Sequence, residues 1–146
     1  MKTREIKQAF HIRAPVASVF KALSEPKMLT RWFLGKAELE PQKGGKYCFT
    51  WIGSYAQNGN VLDFKKNEKM VIDWTGAKER TVVTFTTKKA GRETQLIMRQ
   101  SGFTNSTTSI EEARGVSAGW AYYLMNLKSV LENNSDLRHK QDNLFG

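Results

Sequence analysis

The sequence predicts an α+β domain: a curved antiparallel sheet of about seven strands, two short helices after the first strand, and a long C-terminal helix across the sheet. Three observations predict it. Strand-like segments follow one another between residues 36 and 101 through short connections, which implies an antiparallel meander. Pro15 and Pro26 each open a short helical pattern just after the first strand. Residues 106–132 place Val116, Trp120, Tyr123, Leu124, Leu127 and Leu131 on one helical stripe.

Each element has its own warrant. In residues 3–12, Ile6, Gln8, Phe10 and Ile12 alternate with Lys7, Ala9 and His11, as a half-buried strand requires. Val16, Val19, Phe20 and Leu23 give the first helix one apolar side, and Ser24-Glu25-Pro26 ends it. Met28, Leu29, Trp32 and Phe33 form the apolar face of the second. Residues 36–40 make a short strand, and Pro41-Gln42-Lys43-Gly44-Gly45 reads as a turn. A strand with Tyr47, Phe49 and Trp51 on one face follows, and residues 53–59 read as a connection. Residues 60–65, 69–75, 80–88 and 93–101 are four further strands, parted by Lys66-Asn67-Glu68, Gly76-Ala77 and Ala90-Gly91-Arg92. Gly115 and Gly119 lie near the stripe of the long helix and predict a notch where it crosses the sheet.

A helix this rich in large apolar groups must bury them against the concave side of the sheet. Parity puts Tyr47, Phe49, Trp51, Met70, Ile72, Trp74, Val83, Phe85, Leu96 and Met98 on that side. The layer between them is either a filled aromatic core or a pocket of roughly 300–1,000 Å³. Gln100 shares the parity of Leu96 and Met98, and a buried glutamine needs hydrogen-bond partners from protein, water or ligand.

Composition narrows the class. One domain is expected over residues 1–132, with a polar C-terminal tail over 133–146 that is frayed or loosely docked. The single cysteine, Cys48, excludes an internal disulfide, and no apolar run reaches the roughly 20 residues that span a bilayer. No signal-peptide core follows the N-terminus, so a cytoplasmic location is the default and membrane insertion is not expected. The net charge of +9 comes from residues 1–106, which hold 19 Lys/Arg against 9 Asp/Glu. Its lysines gather at strand ends and turns, where they keep a sheet soluble and discourage edge pairing. No nucleic-acid motif accompanies the charge, so nucleic acid is disfavoured as a partner.

Several segments together resemble a known family. Residues 14–23 followed by 28–33 look like the opening of START-like (SRPBCC, helix-grip) domains, most closely the branch called activator of heat-shock-protein ATPase homologue. Gly44-Gly45-Lys46-Tyr47, Gly59-Asn60-Val61-Leu62-Asp63, Met70-Val71-Ile72-Asp73-Trp74 and Gly119-Trp120 match that branch in order, and the resemblance covers nearly all of residues 5–132. It implies a helix-grip fold, seven antiparallel strands around the C-terminal helix, with a hydrophobic cavity between them. Members of the superfamily include lipid carriers, small-molecule sensors, cyclases and chaperone regulators, so the fold does not fix a reaction.

The chemical inventory is thin. His11 and His139 have no Cys, His or carboxylate at metal-ligand spacing, so no metal and no cofactor is expected. Cys48 points away from Tyr47 and Phe49 and reads as a structural thiol. There is no Ser/His/Asp set, and Lys43-Gly44-Gly45-Lys46 leads into a strand instead of the helix that a phosphate loop needs. Asp63 and Asp73 are the strand-borne carboxylates that a pocket could desolvate, although a solvated strand-face charge is the favoured reading of both. Arg99, Gln100, Tyr122 and Tyr123 could orient a polar ligand group.

The expected function is therefore binding of a hydrophobic or amphipathic small molecule or lipid between sheet and C-terminal helix, with no catalysis assumed. The expected ligand-binding residues are Trp32, Phe33, Tyr47, Phe49, Trp51, Ile72, Trp74, Phe85, Met98, Gln100, Gly119, Trp120, Tyr123, Leu124 and Leu127, with Trp32 at the mouth. Alternatives are a cavity enzyme of cyclase or hydrolase type and a module that regulates a chaperone ATPase. The chaperone activators of the family carry a further N-terminal domain and this sequence starts at the first strand, which ranks that partner lower. A monomer or weak homodimer is expected.

Overall fold

A computed structural model describes residues 3–74, 80–104 and 106–139. They form β1 (Thr3–Ile12), α1 (Val16–Ser24), α2 (Pro26–Trp32), β2 (Lys36–Leu39), β3 (Lys46–Thr50), β4 (Ala56–Lys65), β5 (Lys69–Trp74), β6 (Thr81–Ala90), β7 (Glu93–Thr104) and α3 (Thr107–Asn133). The seven strands make one sheet in the order β1-β7-β6-β5-β4-β3-β2. Every neighbouring pair is antiparallel. The expected connection at residues 76–77 lies outside the described residues.

Three strands are longer than the sequence pattern predicts, β6 by one residue as it runs on to Ala90. β4 starts at Ala56 because residues 56–60 complete a hairpin with β3, from Thr50↔Ala56 to Lys46↔Asn60. Asparagines and Gly59 conceal that stretch from a propensity reading. β7 runs on to Thr104 because the start of β1 pairs with it, Gly102 taking φ +108 beside the register shift.

β4 divides its pairing. Residues 56–60 bond β3, whereas Val61–Lys65 bond β5 with a shift at Val61/Asp63. The shift puts both Val61 and Phe64 on the inner side and leaves Leu62 42 % exposed. Asp73 bridges the division: its carboxylate accepts from Asn60 N at 2.8 Å and Asn60 Nδ2 at 3.3 Å. Tyr47 Oη donates to the Asp73 carbonyl at 2.5 Å. A Cβ on Gly59 would collide with the Asp73 carboxylate and lie 2.8 Å from the Tyr47 ring, so glycine is the residue that fits. A register shift of this kind bends a strand locally.

α3 lies over the concave face, burying Ala113, Trp120, Tyr123, Leu124, Leu127 and Val130. Its N-cap Ser106 accepts from Ser109 N, and Asn134 ends it in the left-handed conformation. Polar cross-links gather at its C-terminal half. Asn126, fully buried, donates to Trp32 O at 2.8 Å and accepts from Leu137 N at 2.6 Å. Glu132 accepts from Arg13 N and from Lys128 Nζ, which also donates to His11 O. Residues 134–139 are docked: Arg138 donates to Thr30 O and Leu34 O, and Asp136 pairs with it.

Candidate functional site

The aromatic residues selected by strand parity and helical spacing converge between sheet and α3. Phe33, just past the end of α2, is the hub. Its ring centroid is 5.3 Å from Trp120, 5.4 Å from Trp51, 5.1 Å from Tyr123 and 6.1 Å from Phe49. Trp120 in turn lies 5.2 Å from Trp74 and 5.6 Å from Phe85. Most of these contacts are edge-on or tilted, the geometry favoured by the ring quadrupoles. Ile72, Met98, Leu124 and Leu127 are fully buried around them, and Gly119 is buried beside Trp120. The rings occupy the layer by packing on one another, and none is more than 3 % exposed.

One polar chain runs through this layer. Trp120 Nε1 donates to Gln100 Oε1 at 2.8 Å, and Gln100 Nε2 donates to Thr81 Oγ1 at 3.0 Å. Thr81 Oγ1 donates onward to Trp74 O at 3.3 Å. The partners that a buried Gln100 demands are therefore supplied by the protein. Tyr47 and Gln57 form a second polar pair, Gln57 Nε2 donating to Tyr47 Oη at 3.2 Å.

Other placements differ from the sequence reading. Trp32 is fully buried with its indole N–H on Ala22 O at 2.8 Å, so it anchors α2 to α1 instead of edging a mouth. Gly115 is no notch: a Cβ there would meet nothing within 4 Å. Asp63 points outward to Lys69 Nζ at 2.9 Å, and hydrogen bonds from Lys69 and the Phe64 backbone lower its pKa, the reverse of a desolvated acid. Asp73 is spent on the β4–β5 junction. Arg99 faces out and pairs with Glu5 at 2.7 Å. Among the described residues no three His, Cys, Asp or Glu groups cluster as a metal site, and no helix is long and apolar enough to cross a membrane.

Several grooves open on the outside among the described residues, and two of them lie beside the sheet's β2–β4 end and beside α1. One of about 760 Å³ runs along β2, β3 and β4 past Glu38, Cys48 and Asn58. Another, of about 480 Å³, lies between α1 and the β4–β5 turn, floored by Phe20 and Phe64. Apart from Tyr47 in the first, neither includes an expected binding residue.

Sequence reasoning missed Gln57, Thr81 and Asn126. Gln57 fell in an assigned connection, where no parity could be read. Thr81 did share the parity of Val83 and Phe85, and Asn126 sits inside the stripe set by Tyr123 and Leu127, so both left a signal.

Comparison with known proteins agrees with this architecture. A comparison with curated proteins found no match. Among solved structures, the protein SSP2350 of Staphylococcus saprophyticus superposes with a TM-score of 0.81 at 18% identity, over 92% of this chain and 96% of that one. The protein MLL2253 of Mesorhizobium loti gives 0.80 at 23% identity, over 90% and 99%. The Aha1 dimer from Colwellia psychrerythraea gives 0.78 at 18% identity, over 90% and 98%. Identities this low speak for the fold alone. The family model described as activator of Hsp90 ATPase homolog 1-like protein matches residues 13–132, and with the sheet, the gripped helix and the ordered motifs in place, the chain belongs to that family, a branch of the START-like superfamily.

Proposed function

We propose that the protein binds a hydrophobic or amphipathic small molecule in the aromatic layer between sheet and α3, without catalysing a reaction on it. The observation that supports this is the convergence of Phe33 and Trp51, just past the ends of α2 and β3, with Trp74 of β5, Phe85 of β6 and Trp120 of α3, around an internally satisfied polar chain. Such a wall offers a guest flat apolar contact and indole edges. Because the rings already touch, a ligand binds as they part, and its apparent affinity is lowered by the cost of parting them. The carboxylates that could have served as an acid or base both face outward, which favours binding over chemistry.

The test is a thermal-shift screen against fatty acids, isoprenoids, flavonoids and aromatic metabolites, repeated with Trp120→Ala. A concentration-dependent rise in melting temperature, lost in the variant, supports the reading. No rise with any compound, together with a stability loss of about 3–5 kcal/mol in the variant, marks Trp120 as core only. Chaperone regulation is the second reading. It is favoured by the family match over residues 13–132 and would show as direct, salt-sensitive binding to a purified chaperone ATPase.

A further inference from the structure

Gln57 and Gln100 are both buried glutamines on the inner face of the sheet, and they differ in one respect. Both ends of the Gln100 amide are taken, by Trp120 and by Thr81. Gln57 has one end taken and one end open. Its Nε2 donates to Tyr47 Oη at 3.2 Å, while its Oε1 is buried with no hydrogen-bond partner. The orientation of this amide is forced by chemistry. A phenol has one proton, and Tyr47 gives it to the Asp73 carbonyl, which can only accept. Tyr47 Oη can then only accept from Gln57, so the NH₂ must face it and the carbonyl oxygen must face away.

A buried acceptor in that position is costly to leave unmet. Gln57 lies across from Phe49, on the same face as Tyr47 and at the β3–β4 end of the aromatic layer. Among the described residues the buried polar members of the inner face are uncharged, Gln57, Thr81, Thr87, Thr94 and Gln100, and the charged side chain that shares its parity, Lys89 opposite Thr94, is exposed at the end of β6. A carboxylate entering here would lose its water and find an amide carbonyl and no cation. A neutral hydroxyl or N–H would meet the unpaired acceptor.

We infer that Gln57 Oε1 selects the ligand: it accepts a hydrogen bond from a neutral, largely apolar molecule that carries a hydroxyl or N–H donor, such as a phenol or an alcohol. This inference rests on the binding reading above and narrows its ligand class.

Isothermal titration with 2-naphthol, 2-methoxynaphthalene and 2-naphthoate separates the possibilities. The wild-type protein is expected to bind 2-naphthol at least tenfold more tightly than either of the other two. Gln57→Leu should erase the preference over 2-methoxynaphthalene. Gln57→Met, closer in shape and also without the carbonyl, replaces the leucine variant if circular dichroism shows that variant to be poorly folded. Binding of all three without preference, or a naphthol preference that survives both substitutions, overturns the role of Gln57 and leaves the binding site standing. No binding of any of the three, with the thermal-shift screen silent too, overturns both.

Discussion

Glu132 is nearly covered by the protein, its side chain only 4 % exposed, yet it stays ionised. Burial alone would raise its pKa, but hydrogen bonds from Lys128 and from the backbone and guanidinium of Arg13 outweigh it and hold the carboxyl at about 2. A pKa depressed on folding gives stability that is full above the unfolded value near 4.5 and is lost as pH falls toward 2. Glu132→Gln should cost about 2 kcal/mol at neutral pH, and the gap between variant and wild-type denaturant midpoints should narrow steadily from pH 4.5 downward. A gap that does not change with pH would mean that the carboxylate charge is not what binds β1 to α3. At this scale the sequence was legible where parity ran unbroken: Gln100 faces inward as alternation predicts. It was illegible where one bulge resets parity, as between Val61 and Phe64, and where a side chain bonds backbone carbonyls far away in sequence, as Arg138 does.

α3 is fastened unevenly. Asn126, Lys128, Glu132 and the docked residues 134–139 tie its C-terminal half to α2 and to the end of β1. Among the described residues, the links of its N-terminal half and middle to the sheet include Gln8 Nε2 donating to Ser117 O at 2.7 Å, the cap that joins Ser109 to Thr104 N, and Trp120 Nε1 on Gln100. Opening of the aromatic layer is accordingly expected to start from the N-terminal half, with the C-terminal half as the hinge. Arg138→Ala removes the donors to Thr30 O and Leu34 O at the C-terminal end of α2. It should cost about 1–3 kcal/mol and speed amide exchange across residues 30–37 more than across β6 and β7. Uniform acceleration, or none, would contradict a strap-like role for the tail. The helical stripe from Val116 to Leu131 could be read from spacing alone. The tail could not, because it docks through capping bonds to carbonyls and leaves no hydrophobic period.

Across the whole molecule, order and parity carried most of the architecture. Seven strands, two short helices and one long helix stand where periodicity and turn residues put them, with ends shifted at β4 and β7. The motifs around Gly59, Asn60, Asp73 and Tyr47 prove to be one structural junction. What sequence could not give is the state of the layer under α3, since aromatic residues at this density read the same whether they fill a core or line a site. Among the described residues, Lys65 and Lys69 lie at the surface, where they pair with Glu68 and Asp63. The most direct test follows the four tryptophan indole N–H signals by NMR while a compound that raises the melting temperature is titrated in. The account predicts saturable shifts of Trp120, Trp74 and Trp51, with Trp32, tied to Ala22 behind α2, nearly still. Shifts confined to residues of the two outer grooves, with all four indoles unmoved, would contradict it.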